Sequence, residues 1–347
     1  MWVRRALRSG LVIPAHPLAL TARRRLDERR QRALTRYYLD AGAGGLAIGV
    51  HTTQFAIHRP NTGLLRPVLQ IGVEAARDWS GAARRPVMIA GVIGRTRQAV
   101  RETQLARDLG YDAALLSLAA FPGATTDDVL IAHATAVAEE LPVVGFYLQP
   151  AVGGRVLGYS FWRRFVEIAN VVAIKIAPFD RYATLDVVRA VADSGRAREI
   201  SLYTGNDDHI LLDLLTRYRL ENGRTVRMVG GLLGHWAYWT RTAARQHRAC
   251  TRLAQSGMPI PGRTITLAAQ VTEANAAVFD AANRFRGCIP GVHEILRRQG
   301  LLAGRWCLNP AEEMSRGQSE EIDRVCAAYP HLTDDAFVRD GLERWLR

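Results

Sequence analysis

The chain has 347 residues, 48% of them hydrophobic and 23% charged, which is enough for a large core in one or two domains. Its formal net charge is +13, and Lys175 is the only lysine among 46 basic side chains. The arginines are spread along the chain and mixed with acids, as in residues 23–32, which favours a solvated surface and no nucleic-acid partner. Nucleic-acid binding stays an alternative, and it predicts steeply salt-dependent affinity.

Cysteine spacing and hydropathy argue against several further classes. The cysteines are Cys250, Cys288, Cys307 and Cys326; none forms a C-x-x-C pair, and their spacing matches neither a zinc site nor a disulfide framework. The first residues lack the ordered regions of a signal peptide, and no apolar run approaches the roughly 20 residues that span a bilayer. We therefore expect a cytoplasmic protein with reduced thiols and no membrane partner.

Short apolar runs alternate with helical patterns along most of the chain. The runs predict strands at 11–15, 46–50, 85–92, 112–117, 142–149, 171–177, 199–205 and 224–231. The intervening patterns predict helices at 27–41, 64–80, 96–109, from 125, 160–169, 181–193, 206–218 and beyond 231. Continuous apolar strands are typical of a parallel sheet covered on both faces, and eight alternating units predict an α/β fold, the (β/α)8 TIM barrel.

An open, doubly wound sheet is the rival architecture. It is disfavoured because no glycine-rich dinucleotide fingerprint follows the first strand. Further helical patterns follow the eighth unit, so we predict a barrel carrying the active site over residues 1–258. The remaining residues, 259–347, are predicted to form a C-terminal helical region packed on the barrel.

Lys175 is the strongest chemical signal in the sequence. It lies inside the apolar run 171–177. Burial of an ammonium group there is costly unless the group is paired with an acid or takes part in a reaction. Burial lowers the pKa of a lysine and makes its neutral amine available as a nucleophile. A lysine can form a Schiff base with a carbonyl and an arginine cannot, which gives a chemical reason for one lysine among arginines. The alternative is a lysine that reaches solvent or pairs with a buried acid.

Tyr147 is the second candidate catalytic residue. It ends the predicted fifth strand, 28 residues before Lys175, and adjacent parallel strands are expected to bring both side chains to the same rim. A phenol at that place can relay protons during imine chemistry. A tyrosine at a strand end can equally be a packing residue.

Three loops at predicted strand ends supply candidate substrate-binding residues. After strand 2, Thr52 and Thr53 offer hydroxyl and N–H groups that suit a carboxylate. In the segment 205–209, paired acids and a histidine suit either a metal ion or a helix N-terminus, and we favour the helix N-terminus. The histidines do not have zinc-site spacing, so no metal is expected. The candidate substrate-binding residues are Thr52, Thr53, Gly205, Asn206, Asp207 and His235.

Four segments together resemble the dihydrodipicolinate synthase / N-acetylneuraminate lyase family of class I aldolases. They are AGAGGLAIGVHTT at 41–53, GFYLQPAVGG at 145–154, NVVAIKIAPFD at 170–180 and LYTGNDD at 202–208. The resemblance implies a (β/α)8 barrel, a homo-dimer or homo-tetramer, no cofactor, and a pyruvate or other 2-oxo acid substrate. It further implies that Lys175 forms the imine, Tyr147 relays protons, and Thr52 and Thr53 hold the carboxylate.

The sequence departs from the family pattern at several positions. Ala119 and Ala120 stand where the synthases have a Pro-Tyr-Tyr segment, and Gln54 replaces the glycine that usually follows the Thr-Thr pair. The arginine that grips a second carboxylate is missing, with Arg155 slightly beyond its place, and Leu148 replaces an asparagine. These departures disfavour lysine biosynthesis as the activity.

The sequence therefore predicts a class I lyase that cleaves or forms a carbon–carbon bond of a 2-oxo acid through Lys175. A dehydratase or hydratase-aldolase of the same family is one alternative. A 2-oxo acid sensor that keeps the barrel without turnover is another.

Overall fold

The computed structural model describes residues 2–81, 85–121, 123, 125–221 and 223–347. Eight parallel strands of the described residues form one sheet, and helices lie between them. These strands are β1 Val12–Pro14, β2 Gly45–Ile48, β3 Val87–Val92, β4 Ala113–Leu116, β5 Val143–Leu148, β6 Val171–Ala177, β7 Ser201–Thr204 and β10 Met228–Leu233. A parallel bridge between Ala15 and Ala47 joins the first two strands, so the sheet is a nearly closed (β/α)8 barrel, as predicted.

The helices also follow the predicted order. They are α1 Trp2–Arg8, α2 Glu28–Ala41, α3 Leu65–Ser80, α4 Thr96–Leu109, α5 Asp127–Ala138, α6 Tyr159–Phe165, α7 Arg181–Asp193, α8 Ile210–Leu215, α9 Thr240–Ser256, α10 Gly262–Val278, α11 Cys288–Arg298, α12 Gln318–Ala328 and α13 Asp335–Leu346. Local signals set some of their ends. The Asp27 carboxylate accepts from the Arg30 N–H at the start of α2, and Gly42 ends that helix in the left-handed region at φ 104°.

Four elements differ from the sequence-based expectation. The predicted helix over 206–218 is shortened to α8, because Tyr218–Arg219 (β8) pairs in an antiparallel ribbon with Thr225–Val226 (β9). That ribbon also takes the start of the predicted eighth strand, so the barrel strand begins at Met228. The helices α1 and α13 were not predicted, since α1 precedes the first strand signal and α13 follows the last apolar pattern that was recognised.

The chain divides into two compact units, neither of which is continuous in sequence. Unit 1 comprises Met1–Leu11, Val87–Leu232 and Ala249–Pro259, and unit 2 comprises Val12–Pro86, Leu233–Arg248 and Ile260–Arg347. The predicted boundary between residues 258 and 259 falls between α9 and α10, and it stays a prediction. No helix among the described residues is long and apolar enough to cross a membrane.

Unit 1 contains six barrel strands in the order β10-β7-β6-β5-β4-β3. In the core of unit 1, aromatic side chains of α6 cover the outer face of β5. A Cβ atom at Gly145 would lie 2.7 Å from the Phe165 ring and 3.2 Å from Trp162, so only glycine permits this close approach. The packing of α6 therefore fixes which face of β5 is turned toward the helices.

Unit 2 contains β1, β2 and the C-terminal helices. Trp345 of α13 is fully buried and packs on Tyr37 of α2, with 5.3 Å between ring centroids. The Tyr37 hydroxyl donates to Asp334 Oδ2 at 2.7 Å. The same carboxylate oxygen of Asp334 accepts from the Arg241 N–H at 3.1 Å. These contacts attach the C-terminal helices to the first barrel helix.

Candidate active site

Lys175 lies toward the carboxyl end of β6 and is only 6% exposed. Its Nζ atom lies 4.4 Å from the centre of the Phe146 ring on the neighbouring strand β5. Burial lowers the pKa of Lys175 to about 8, and the negative charge of Asp207 partly opposes this shift. A substantial neutral fraction is therefore available near neutral pH, as imine chemistry requires.

Gly205, just past β7, provides room for the lysine stem. A Cβ atom at this position would lie 2.8 Å from Lys175 Cε, 3.0 Å from Lys175 Cγ and 2.8 Å from the Ala177 Cβ. The predicted site residue Gly205 is thus brought against Lys175. Its role in this structure is to leave space, because any side chain would displace the lysine.

Asp207 follows Asn206 in the turn after β7. The Asn206 side chain bonds toward α7 and α8, and Gly205 faces the Lys175 stem. Asp207 is buried, at 6% exposure, and its charge acts on Lys175. The structure therefore brings together a buried amine and a glycine that makes room for its stem, with a buried carboxylate two residues further along the chain.

Asn206 is placed differently from the sequence-based expectation. Its Oδ1 accepts from the Phe179 N–H at 3.0 Å, and its Nδ2 donates to Asp213 at 2.9 Å and to Thr184 at 3.3 Å. The residue is fully buried, and its amide oxygen and nitrogen are both used within the protein. Asn206 therefore positions the loop, and the expected contact with substrate is not supported.

Asp208 and His209 belong to a network around Asp213, which the sequence analysis missed. The buried Asp213 carboxylate accepts from Thr204 at 2.6 Å, bonds to His209 at 2.9 Å and pairs with Arg181 at 3.3 Å. Asp208 pairs with the same arginine at 3.4 Å. Asp208 and Asp213 thus both pair with an arginine from α7, and the helix-terminus interpretation of the segment 205–209 stays a prediction. The described residues contain no metal-binding cluster of three or more ligands.

Strand pairing turns Tyr147 to the face opposite Lys175, and its predicted role as a proton relay stays a prediction. Parallel pairing sets Phe146 beside Lys175 and Tyr147 beside Ile176, and successive strand residues point to opposite faces. The Tyr147 ring packs on Trp162 of α6, with 5.3 Å between centroids, and its hydroxyl accepts from the Leu157 N–H at 3.2 Å. Tyr147 is therefore a packing residue here.

Tyr203 is the tyrosine that shares the face of Lys175. It pairs directly with Lys175 across β6 and β7. Its hydroxyl donates to the Leu7 carbonyl at 2.6 Å and accepts from the Leu11 N–H at 3.2 Å, so it is turned toward α1. Burial raises its pKa above the ordinary range of a phenol. Backbone groups therefore accept the proton of this hydroxyl and donate to its oxygen.

Thr52 and Thr53 lie in unit 2, in a single 3₁₀ turn after β2. The Thr52 hydroxyl donates to the Ala15 carbonyl at 2.7 Å, and the Thr53 hydroxyl donates to the His16 carbonyl at 2.6 Å. The Thr53 oxygen also accepts from the Gly49 N–H at 3.0 Å. Both hydroxyl protons are therefore engaged by the backbone, and the predicted carboxylate contact would require one hydroxyl to turn or an N–H group to take its place.

His235 lies in unit 2, in the turn after β10. It is 4% exposed, and burial lowers its pKa to about 3, so the imidazole is neutral near pH 7. Its Nδ1 accepts from the Tyr238 hydroxyl at 2.7 Å and lies 3.4 Å from Asn275 Nδ2, which places the ring proton on Nε2. His235 stays a predicted substrate-binding residue, and the Nε2–H of its neutral ring would be the hydrogen-bond donor.

Arg155 contacts backbone carbonyl groups of the protein. Its guanidinium lies within hydrogen-bonding distance of three carbonyl oxygens of the loop after β4, namely 3.4 Å from Phe121, 3.2 Å from Gly123 and 3.4 Å from Thr125. The absence of an arginine that grips a second substrate carboxylate stays a prediction.

The sequence analysis did not identify Phe146, Asp213 or Arg181. Phe146 could have been found from strand alternation, because it occupies the position beside Lys175 once the pairing of β5 and β6 is known. Asp213 and Arg181 carried no sequence signal, since both belong to ordinary amphipathic helices. Their roles arise only where those helices meet.

The parallel barrel with a buried lysine on its sixth strand places the chain among (β/α)8-barrel proteins with a candidate imine-forming lysine. The family model described as "Dihydrodipicolinate synthetase family" matches residues 10–217, which is more than half of the chain. The chain therefore belongs to the dihydrodipicolinate synthetase family.

Two curated relatives carry the name 4-hydroxy-tetrahydrodipicolinate synthase. The chain is 31% identical to the protein from Exiguobacterium sibiricum over 132 residues, covering 38% of this chain and 43% of the relative. It is 27% identical to the protein from Halorhodospira halophila over 192 residues, covering 54% of this chain and 58% of the relative. The chain thus matches about half the length of these relatives.

A solved structure of similar fold is the dihydrodipicolinate synthase of Acinetobacter baumannii in complex with pyruvate. The TM-score is 0.74 at 19% sequence identity, with 92% of this chain and 98% of that chain covered. At this identity the likeness establishes the fold.

Proposed function

We propose that the protein is a class I lyase in which Lys175 forms an imine with pyruvate or another 2-oxo acid. The protonated imine withdraws electrons from the adjacent carbon, so that a carbon–carbon bond beside it is made or broken. The observation that carries the proposal is the only lysine of the chain, buried on the sixth barrel strand with a pKa lowered to about 8.

The family membership supports this proposal. The curated relatives are synthases, and the Acinetobacter baumannii structure contains pyruvate. The barrel supports it as well, because (β/α)8 enzymes carry their chemistry at the carboxyl ends of the strands, where Lys175, Gly205 and Asp207 lie. Thr52 and Thr53 remain candidates for the substrate carboxylate, and His235 remains a candidate for the rest of the substrate.

A sensor that binds a 2-oxo acid without turnover is the second candidate. The position of Tyr147 favours it, because the expected proton-relaying tyrosine packs on Trp162 at the opposite face of the sheet. A dehydratase or hydratase-aldolase of the same family uses the same imine and differs only in the later steps. Turnover of any 2-oxo acid with an aldehyde partner would exclude the sensor.

The test is reductive trapping with pyruvate and cyanoborohydride, followed by intact-mass measurement and peptide mapping. We expect one adduct on Lys175 in the native protein. Lys175→Arg keeps the positive charge and removes the nucleophile, so we expect it to form no adduct on the peptide that contains residue 175. The N-terminal α-amino group of the protein sample is the internal control for non-specific reaction, because it is an amine outside the barrel strand. An adduct confined to that amine, with pyruvate and with larger 2-oxo acids, would contradict the proposal.

Three further expectations accompany this function. The protein acts without a cofactor or metal ion, it forms a homo-dimer or homo-tetramer, and it is located in the cytoplasm. Light scattering at several protein concentrations tests the second expectation.

A further inference from the structure

We propose that Asn206 is a positioning residue for Lys175, and that the buried Asp213 carboxylate keeps Asn206 in place. This inference rests on the proposed imine chemistry and assigns the groups that hold the reacting amine at its position. A buried amine attacks a ketone only when its stem carries the nitrogen to the carbonyl carbon, and a displacement of about 1 Å can cost about 100-fold in rate.

Gly205 is the residue through which Asn206 acts on the lysine. A Cβ atom at Gly205 would lie 2.8 Å from Lys175 Cε, so the backbone of this turn lies directly against the lysine stem. The Gly205 N–H also donates to the Ile176 carbonyl at 2.7 Å, which joins the turn to the lysine strand β6. A shift of the Gly205 backbone therefore moves or frees the stem that carries Nζ.

The Asn206 side chain joins this turn to the chain a second time, just beyond the end of β6. Its Oδ1 accepts from the Phe179 N–H at 3.0 Å. Phe179 has a φ of 53°, in the left-handed region that a bulky residue rarely adopts. Such a conformation persists where surrounding contacts hold it, and it clusters at functional sites. Asn206 therefore provides a contact that fixes the chain where it leaves the lysine strand.

The Asp213 carboxylate fixes the Asn206 amide at its other end. Asp213 Oδ2 accepts from Asn206 Nδ2 at 2.9 Å and from the Thr204 hydroxyl at 2.6 Å. The Thr204 oxygen accepts in turn from the Asn206 N–H at 3.2 Å. Asn206, Asp213 and Thr204 are fully buried, so water does not compete for these hydrogen bonds. One carboxylate oxygen thus sets the conformation of the turn 204–206.

An asparagine suits this position because the two groups around its amide need opposite partners. The Phe179 N–H is a donor and needs an acceptor, whereas the Asp213 carboxylate is an acceptor and needs a donor. An amide supplies one of each from a single side chain. Asn206→Ala removes both, and it takes this partner away from a buried carboxylate and from a backbone N–H.

The experiment measures reductive trapping of pyruvate on Lys175 in the full chain as a function of pyruvate concentration. Cyanoborohydride is used at a concentration above which the rate no longer rises, so that imine formation limits the rate. We expect Asn206→Ala to lower the maximal rate by about 10- to 100-fold, because the amine is no longer held in its reacting position. The pyruvate concentration at half-maximal rate should stay within about 3-fold of native, since the Asn206 amide bonds within the protein.

An exchange of the two side chains separates positioning from a general loss of structure. The double variant Asn206→Asp with Asp213→Asn keeps the net charge and reverses the direction of the buried hydrogen bond. Its carboxylate at position 206 can still accept from the Phe179 N–H. We expect the exchange to trap pyruvate at least about 5-fold faster than Asn206→Ala, because both contacts of the turn are restored.

Asn170 provides a matched control at the opposite end of the same strand. It is also an asparagine, and its Nδ2 donates to the Ala138 carbonyl at 2.8 Å where the chain enters β6. Asn170→Ala therefore removes a side-chain hydrogen bond beside β6 and leaves the turn against Lys175 intact. We expect this variant to keep the maximal trapping rate within about 3-fold of native.

The outcomes distinguish the positioning role from the proposed function. Trapping in the native protein with an Asn206→Ala maximal rate within about 3-fold of native overturns the positioning role and leaves the imine chemistry standing. Equal losses in Asn206→Ala and Asn170→Ala also overturn it, because the rate would then follow stability alone. An exchange variant that is folded by circular dichroism and no faster than Asn206→Ala overturns it as well. No trapping on Lys175 in the native protein overturns both.

Discussion

The two faces of the sheet at β5, β6 and β7 differ sharply although they share the same strands. On one face, Lys175 lies beside Phe146 with Gly205 leaving space for its stem. On the other, Tyr147 packs on Trp162, and Asn206 and Asp213 bond to each other at 2.9 Å. One face holds a buried cation whose stem fits closely against Gly205, while the other uses its polar groups for hydrogen bonds within the protein. Polar residues near a strand end therefore carry different roles according to the face they occupy.

The largest expected difference between the faces is in the reactivity of Lys175. Its pKa is lowered from 10.5 to about 8 by burial, so the ammonium form prevails below pH 8 and the neutral amine above it. We expect trapping of pyruvate to rise with pH around a midpoint near 8. At pH 7 this corresponds to about 300-fold more neutral amine than an exposed lysine would have. The measurement is the trapping rate from pH 6 to 10, with the rate on a lysine-containing peptide as control. A midpoint above pH 10 would contradict the buried placement.

The second prediction concerns the stability of the hydrogen-bonded face. Asp213→Ala removes the acceptor of Thr204 and Asn206 and the buried partner of Arg181. We expect the free energy of unfolding to fall by about 3 kcal/mol, because buried polar partners are left unsatisfied. Denaturation in guanidinium chloride measures this change.

Asp208→Ala is the matched control for that prediction. It removes the more exposed partner of the same arginine, and surface pairs contribute at most about 1 kcal/mol. Equal losses in the two variants would show that the network does not depend on the buried acid.

The third prediction tests the space on the Lys175 face. Gly205→Ala places a methyl group 2.8 Å from Lys175 Cε, and we expect about 1–3 kcal/mol of destabilisation together with slower trapping of pyruvate. Gly262→Ala is the control, since a Cβ atom there meets nothing within 4 Å at the start of α10. We expect that variant to keep both native stability and native trapping. An unchanged trapping rate in Gly205→Ala would argue against a tight fit of the lysine stem.

The smallest predicted effect is that of Tyr147→Phe on stability. The change removes a hydroxyl that accepts one backbone N–H and keeps the ring on Trp162, so we expect a loss of about 1 kcal/mol. Tyr147→Ala, which also removes the ring, should cost about 3–5 kcal/mol. Urea denaturation of the two variants separates the hydroxyl from the ring. Equal losses in both would mean that the ring contributes nothing to the packing of β5.

Much of the site followed from the sequence because its signals are local. The alternation of apolar runs with helical patterns predicted the barrel, and a lone lysine within an apolar run predicted that β6 carries the imine-forming residue, which stays a prediction. The predicted substrate-binding role of Gly205 stays a prediction, and its role as space for Lys175 became visible only from the distance between the two residues. The Thr-Thr turn after β2 was placed correctly as well.

The face occupied by Tyr147 and the partners of Asn206 were decided by the tertiary structure. A strand has a period of two, so a difference of one residue in pairing moves a side chain to the opposite face, and pairing depends on both strands. The spacing of 28 residues between Tyr147 and Lys175 was therefore compatible with either face. The Asn206 amide and the Thr52 hydroxyl looked available in sequence, but packing brought Asp213 and the Ala15 carbonyl within reach of them. The sequence by itself determined the fold and singled out the one lysine that lies buried in a strand, because both depend on local pattern and composition. The long-range contacts alone decided which polar groups remain for a substrate.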